Sequence, residues 1–201
     1  MKLSRFTTLA AIVAAAALST TTCPAVIYNF DVNFSGPDES PPNASPGTGF
    51  GTVDWDTTLN TMTVNCSFSG LLGTTTASHI HAATAVAGTG TAIVATTTPY
   101  FAGFPIGVTA GSYSQVLDMT QSSSYNSAFI TANGGTVASA EVALLQAIQD
   151  GKAYWNIHTT VVPGGEIRGF LLPVPEPSSL ALLGLAAAFP MIRRFRNKRN
   201  S

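Results

Sequence analysis

Charge is scarce in this chain: only 9% of its 201 residues are Asp, Glu, Lys or Arg. Basic residues are almost missing from the middle. Between Val26 and Leu172 only Lys152 and Arg168 are basic, against nine acidic residues, a net charge of −7. Phosphate binding needs clustered Lys and Arg, so a nucleic-acid partner is excluded. Cysteine is limited to Cys23 and Cys66, and histidine to His79, His81 and His158. No apolar run reaches the ~20 residues of a comfortable membrane helix. There is no Gly-x-Ser-x-Gly elbow, no phosphate-cradling loop and no zinc-protease helix, so the common catalytic constellations are missing. No repeat of solenoid or propeller period occurs.

What is present begins at the two ends. Residues 1–25 have the form of a secretory signal: Lys2 and Arg5, then the apolar run Leu9 to Leu18, then Cys23-Pro24-Ala25. Small residues there predict cleavage between Ala25 and Val26. Acylation of Cys23 as a lipoprotein is the alternative, and Thr22 and Pro24 on either side fit it poorly. With cleavage after Ala25, Cys66 is the sole remaining cysteine and no intramolecular disulfide can form. At the other end, residues 173–201 run Pro173-Val174-Pro175-Glu176-Pro177, then apolar Leu180 to Ile192, then Arg193, Arg194, Arg196, Lys198 and Arg199. As a helix the thirteen-residue apolar run covers ~20 Å, so it spans a bilayer only with help from flanking residues. The basic cluster stays cytoplasmic by the positive-inside rule, which places the domain outside. The order Pro-Glu-Pro, apolar helix, Arg-rich tail resembles the bacterial PEP-CTERM sorting signal. The resemblance implies an exosortase-type transpeptidase as partner, cleavage near Pro175, Glu176 and Pro177, and a host surface rich in exopolysaccharide.

The middle, residues 26–172, reads as all-β. Val26, Tyr28, Phe30, Val32 and Phe34 alternate with polar residues, as do Met62, Val64, Cys66 and Phe68. Period two with one apolar face is a half-buried strand. Cys66 is then a small core residue. Further strands are expected at Phe50–Trp55, Ser78–His81, Thr91–Ala95, Tyr113–Met119, Ala128–Ala132, Ala153–Val161 and Glu166–Leu171. Gly- and Pro-rich turns separate them, which argues for a sandwich or barrel. One helix is expected at Ser139–Asp150, capped by Ser139, with Val142, Leu145 and Ile148 inward and Gly151 ending it.

His79 and His81 are two residues apart, so on a strand they project from one face. That suits two imidazoles on one copper or zinc ion. In Tyr154-Trp155-Asn156-Ile157-His158, Trp155 and Ile157 take the core face and His158 the other, where it becomes a possible third ligand. The other reading is architectural: the rings bond backbone or acidic groups, with Glu166 or Arg168 in reach of His158. Asp38-Glu39 and Asp54-x-Asp56 read as solvated turn residues rather than calcium ligands, since no calcium loop surrounds them.

Three segments carry a second resemblance. Ser35-Gly36-Pro37-Asp38-Glu39-Ser40-Pro41-Pro42-Asn43, His79-Ile80-His81, and Ala153-Tyr154-Trp155-Asn156-Ile157-His158-Thr159 leading into Pro163-Gly164-Gly165-Glu166-Ile167-Arg168-Gly169 are similar to the CHRD domain. Ala82-Ala83 depart from its pattern. The resemblance implies an extracellular, immunoglobulin-like β-barrel distantly similar to copper–zinc superoxide dismutases, with no implied activity. A binuclear dismutase site would need about twice the histidines present. The function expected is therefore an exported, non-enzymatic surface or matrix domain that binds an unidentified extracellular partner, with exopolysaccharide and another surface protein as the candidates. The alternative is a mononuclear copper or zinc protein using His79, His81 and His158.

Overall fold

The computed structural model describes residues 26–175. The leader through Ala25, together with Glu176, Pro177, the apolar run Leu180–Ile192 and the basic cluster, lies outside the described residues. Among the described residues no helix is long and apolar enough to cross a membrane.

The elements run β1 (Ile27–Ser35), β2 (Thr48–Asp56), β3 (Thr61–Ser69), β4 (Thr75–His81), β5 (Gly111–Asp118), a short 3-10 turn (Ser122–Ser124), α1 (Ser127–Ala132), α2 (Val137–Gln149), β6 (Tyr154–Thr159), β7 (Ile167–Phe170) and β8 (Leu172–Pro173). The strands form one continuous antiparallel sheet in the order β4-β6-β7-β1-β2-β3-β5, with β8 also on β1. This sheet curls into a half-barrel around a single core.

Alternation explains the curl's inner face. Phe30, Val32 and Phe34 of β1, Met62, Val64, Cys66 and Phe68 of β3, and Trp155 and Ile157 of β6 are all buried. Val26 precedes the sheet and is 41% exposed, so it does not join that face. Burial pushes the Cys66 thiol up to about 12, which keeps it a core group. On the inner side Trp155 Nε1 donates to Ser78 Oγ at 2.8 Å, tying β6 to β4. β7 crosses β1 so closely that a Cβ at Gly169 would strike the Asn33 carbonyl.

Three expectations need correction. Ala128–Ala132 belongs to helix α1, because the Asn126 side chain accepts from Ala128 N at 3.0 Å and caps it. Thr91–Ala95 is no regular strand; its backbone joins β4 at an isolated bridge between His81 and Val94. Helix α2 starts earlier than expected, with Thr136 as the cap and Ser139 closing the capping box. Its buried stripe is Ala140, Leu144, Ala147 and Ile148, while Val142 is 70% exposed. That stripe follows the 3.6-residue period, and Val142 falls off it.

Candidate metal centre

An edge strand normally leaves a row of unpaired backbone groups. At β4 the segment 92–101 covers them. Ala82 N donates to the Ile93 carbonyl, Ala95 N to the Ile80 carbonyl, and Ser78 N to the Pro99 carbonyl. The same segment carries the carbonyls of Ala92 and Pro99 to the outer face of β4.

His79 and His81 project from that outer face. In register, His79 stands opposite Asn156, and Ala77 opposite His158. His79 Nδ1 lies 2.8 Å from the Pro99 carbonyl, His81 Nδ1 2.8 Å from the Ala92 carbonyl, and His158 Nδ1 2.8 Å from the Pro163 carbonyl. A carbonyl can only accept, so each Nδ1 is the donor. Each neutral ring therefore keeps its free lone pair on Nε2. Burial lowers the pKa of His79 to about 4 and that of His81 to about 4, against the help of their carbonyl bonds. Burial lowers His158 as well. All three rings are neutral at pH 7.

The lone pairs converge. His79 Nε2 and His158 Nε2 are 3.1 Å apart, and one ligand atom from each of the three rings lies within 4.8 Å of the others. Two nitrogens on one tetrahedral zinc are about 3.3 Å apart, given Zn–N near 2.0–2.1 Å. His81 Nε2 is buried and makes no hydrogen bond of good geometry among the described residues, with the Asn156 side chain close by. Facing lone pairs repel, and a shared cation removes that repulsion. The carbonyls behind the rings fix tautomer and tilt, as outer partners do in metal sites. The residues present therefore fit a single borderline ion such as zinc or copper. Among the described residues this is the one cluster of three or more potential ligands, so Asp38, Glu39, Asp54 and Asp56 form no such group.

The surroundings extend the pattern. Tyr154 stacks on His81 with ring centroids 4.6 Å apart, and the Arg168 guanidinium sits 4.6 Å from the Tyr154 centroid. Arg168 also donates to the carbonyls of Asp38 and Gly90. Its Nε lies 3.9 Å from Glu39 Oε2. Glu39 is thus buried, not solvated, and burial raises its pKa to about 7 despite Arg168. Asn156 Oδ1 is a further buried acceptor without a partner among the described residues.

Neither Glu166 nor Arg168 bonds His158, because the Pro163 carbonyl in the intervening turn takes that place. Glu166 does different work. Its carboxylate accepts from Ser45 Oγ, Thr159 Oγ1, Leu72 N and Gly73 N at 2.5 to 3.2 Å. Burial opposes its ionisation, but those four bonds outweigh burial and lower its pKa. Asn43 Nδ2 donates to the carbonyls of Gly165 and Glu166. The loop after β1, the histidine pair and the β6–β7 turn, far apart in the chain, therefore meet in one place. Sequence reasoning missed the carbonyls of Ala92, Pro99 and Pro163, since a backbone acceptor has no residue signature.

A curled antiparallel β-domain with a histidine cluster on its outer face, followed directly by a sorting tail, is the class of protein this defines. Residues 30–171 match the CHRD domain, and the chain belongs to that family. Residues 173–198 match the PEP-CTERM protein-sorting motif, which marks an exported protein anchored at the membrane, processed by an exosortase and then located at the surface. No curated protein and no solved structure matches the chain.

Proposed function

We propose that this protein is a surface-displayed, non-enzymatic domain that binds one copper or zinc ion through His79, His81 and His158. The observation that carries this is the meeting of three neutral rings, with His79 Nε2 3.1 Å from His158 Nε2, one ligand atom of each ring within 4.8 Å of the others, and a backbone carbonyl behind each ring. A bound zinc ion would supply Lewis acidity or a cross-link, and copper would add one-electron chemistry. The chain's own part is to hold three lone pairs ready at neutral pH and to fix ring orientation. No carboxylate hydrogen-bonds the three rings among the described residues; a backbone carbonyl takes each Nδ1 instead.

The test is elemental analysis of the full chain, purified in mild detergent without chelators, beside a His79→Ala, His81→Ala double variant. Near-stoichiometric copper or zinc is expected in the parent and none in the variant. A metal-free parent that also fails to take up added zinc or copper at micromolar concentration would overturn the reading.

A further inference from the structure

The sheet has two ends, and the chain treats them differently. Segment 92–101 covers β4. At the other end, β5 pairs with β3 from Thr61–Asp118 to Phe68–Gly111 with no register shift. Among the described residues, only the Gln115 side-chain amide bonds the Ser112–Leu117 backbone from outside β3, at 3.2 Å from the Val116 carbonyl. Ser112, Ser114 and Val116 are exposed, Val116 by 57%. Proteins that stay monomeric protect such an edge with lysine, proline, a bulge or an inward charge. β5, Gly-Ser-Tyr-Ser-Gln-Val-Leu-Asp, carries none of these before its last residue.

We propose that β5 pairs edge to edge, antiparallel, with β5 of a second copy of this chain. The partner is a second copy because β5 is the one long strand edge left open among the described residues, and an antiparallel edge is complementary to itself. Pairing through it uses the same surface on both molecules, closes about a two-fold axis and cannot run on into a filament. The alternation of faces fixes the register further. Directly opposed residues point to the same side of a sheet, so an axis perpendicular to it must pass through a residue paired with itself. The centre of β5 puts that residue at Ser114 or Gln115. Asp118, the one charge in the strand, then faces Ala110 or Ser112 of the partner copy and never its own equivalent, so no like charges oppose.

The arrangement has a topological consequence. The two ends of the described domain, near Val26 and Val174, lie at the pole where β5 finishes: Ile27 pairs with Asp56, Asp56 with Thr61, and Thr61 with Asp118. Antiparallel pairing turns the two poles in opposite directions. The dimer thus suits copies released from the membrane, or copies on two facing surfaces.

The test is cysteine cross-linking of the full chain, solubilised in mild detergent, with Cys23→Ser as background. Cys66 is buried and does not interfere. Ser114→Cys should give a covalent dimer with a short bifunctional maleimide, and adding Val116→Lys should cut its yield at least tenfold. Thr131→Cys, exposed on α1, is the control for random collision. No dimer from Ser114→Cys, or equal yields from Ser114→Cys and Thr131→Cys, would overturn the proposal. So would a yield unchanged by Val116→Lys.

Discussion

At the residue scale the histidines decide what the outer face can do. His79 and His81 titrate near 4 in the fold, against an ordinary value of 6.5. In the metal-free protein, the unfolded chain binds protons at these rings between those values and the folded chain does not. Stability should therefore be full above about 6.5 and fall as pH drops towards about 4. Urea unfolding across that range would show it. Replacing His79 and His81 by Phe should flatten the slope, and an unchanged slope would refute the neutral-ring description. The pairing of His79 with His81 was legible in the sequence, because a strand's period of two leaves no choice. His158 joining them was not, because which strand neighbours which, and in what register, is set by the packed sheet.

At the element scale, strands were easier to read than helices. β1 and β3 show clean alternation over nine residues each. Ala128–Ala132 shows only a short apolar run, which fits a strand or a helix turn equally, and the cap at Asn126 decided it. Helix α2 was visible, with Ile148 buried and Leu145 packed against the core as expected, but Val142 is exposed and Leu144 is the fully buried residue. The correction has a measurable consequence. Leu144→Ala removes a fully buried side chain and should cost about 2–5 kcal/mol. Val142→Lys, at a 70% exposed position, should stay within about 0.5 kcal/mol of the parent. Chemical denaturation of both variants checks the assignment, and the reverse order would sink it.

At the scale of the whole molecule, the folded domain and the sorting tail are joined without a linker. β8 ends at Pro173, and Val174 N still donates to the Asn29 carbonyl at 2.9 Å, two residues before Glu176. The histidines sit on the sheet itself, on β4 and β6. Metal uptake should not depend on the tail. Deleting Leu180 to Ser201 should move the protein from the membrane fraction to the exported soluble fraction, with unchanged metal content per chain. A truncated chain still in the membrane fraction would contradict anchoring by that segment.

The sequence by itself determined the destination and the raw materials. Export and sorting signals are linear, read by composition and order, and need no fold to be recognised. Strand alternation is likewise local, so the buried faces of β1 and β3 and the shared face of His79 and His81 followed from it. The tertiary structure alone decided that β6 lies beside β4 and so brings His158 to the pair, which carbonyls aim the rings, that Glu39 is buried against Arg168, and that one sheet edge is covered while the other is open. Each of these depends on contacts between residues far apart in the chain. Long-range pairing is fixed by the whole core packing at once, which no local pattern encodes.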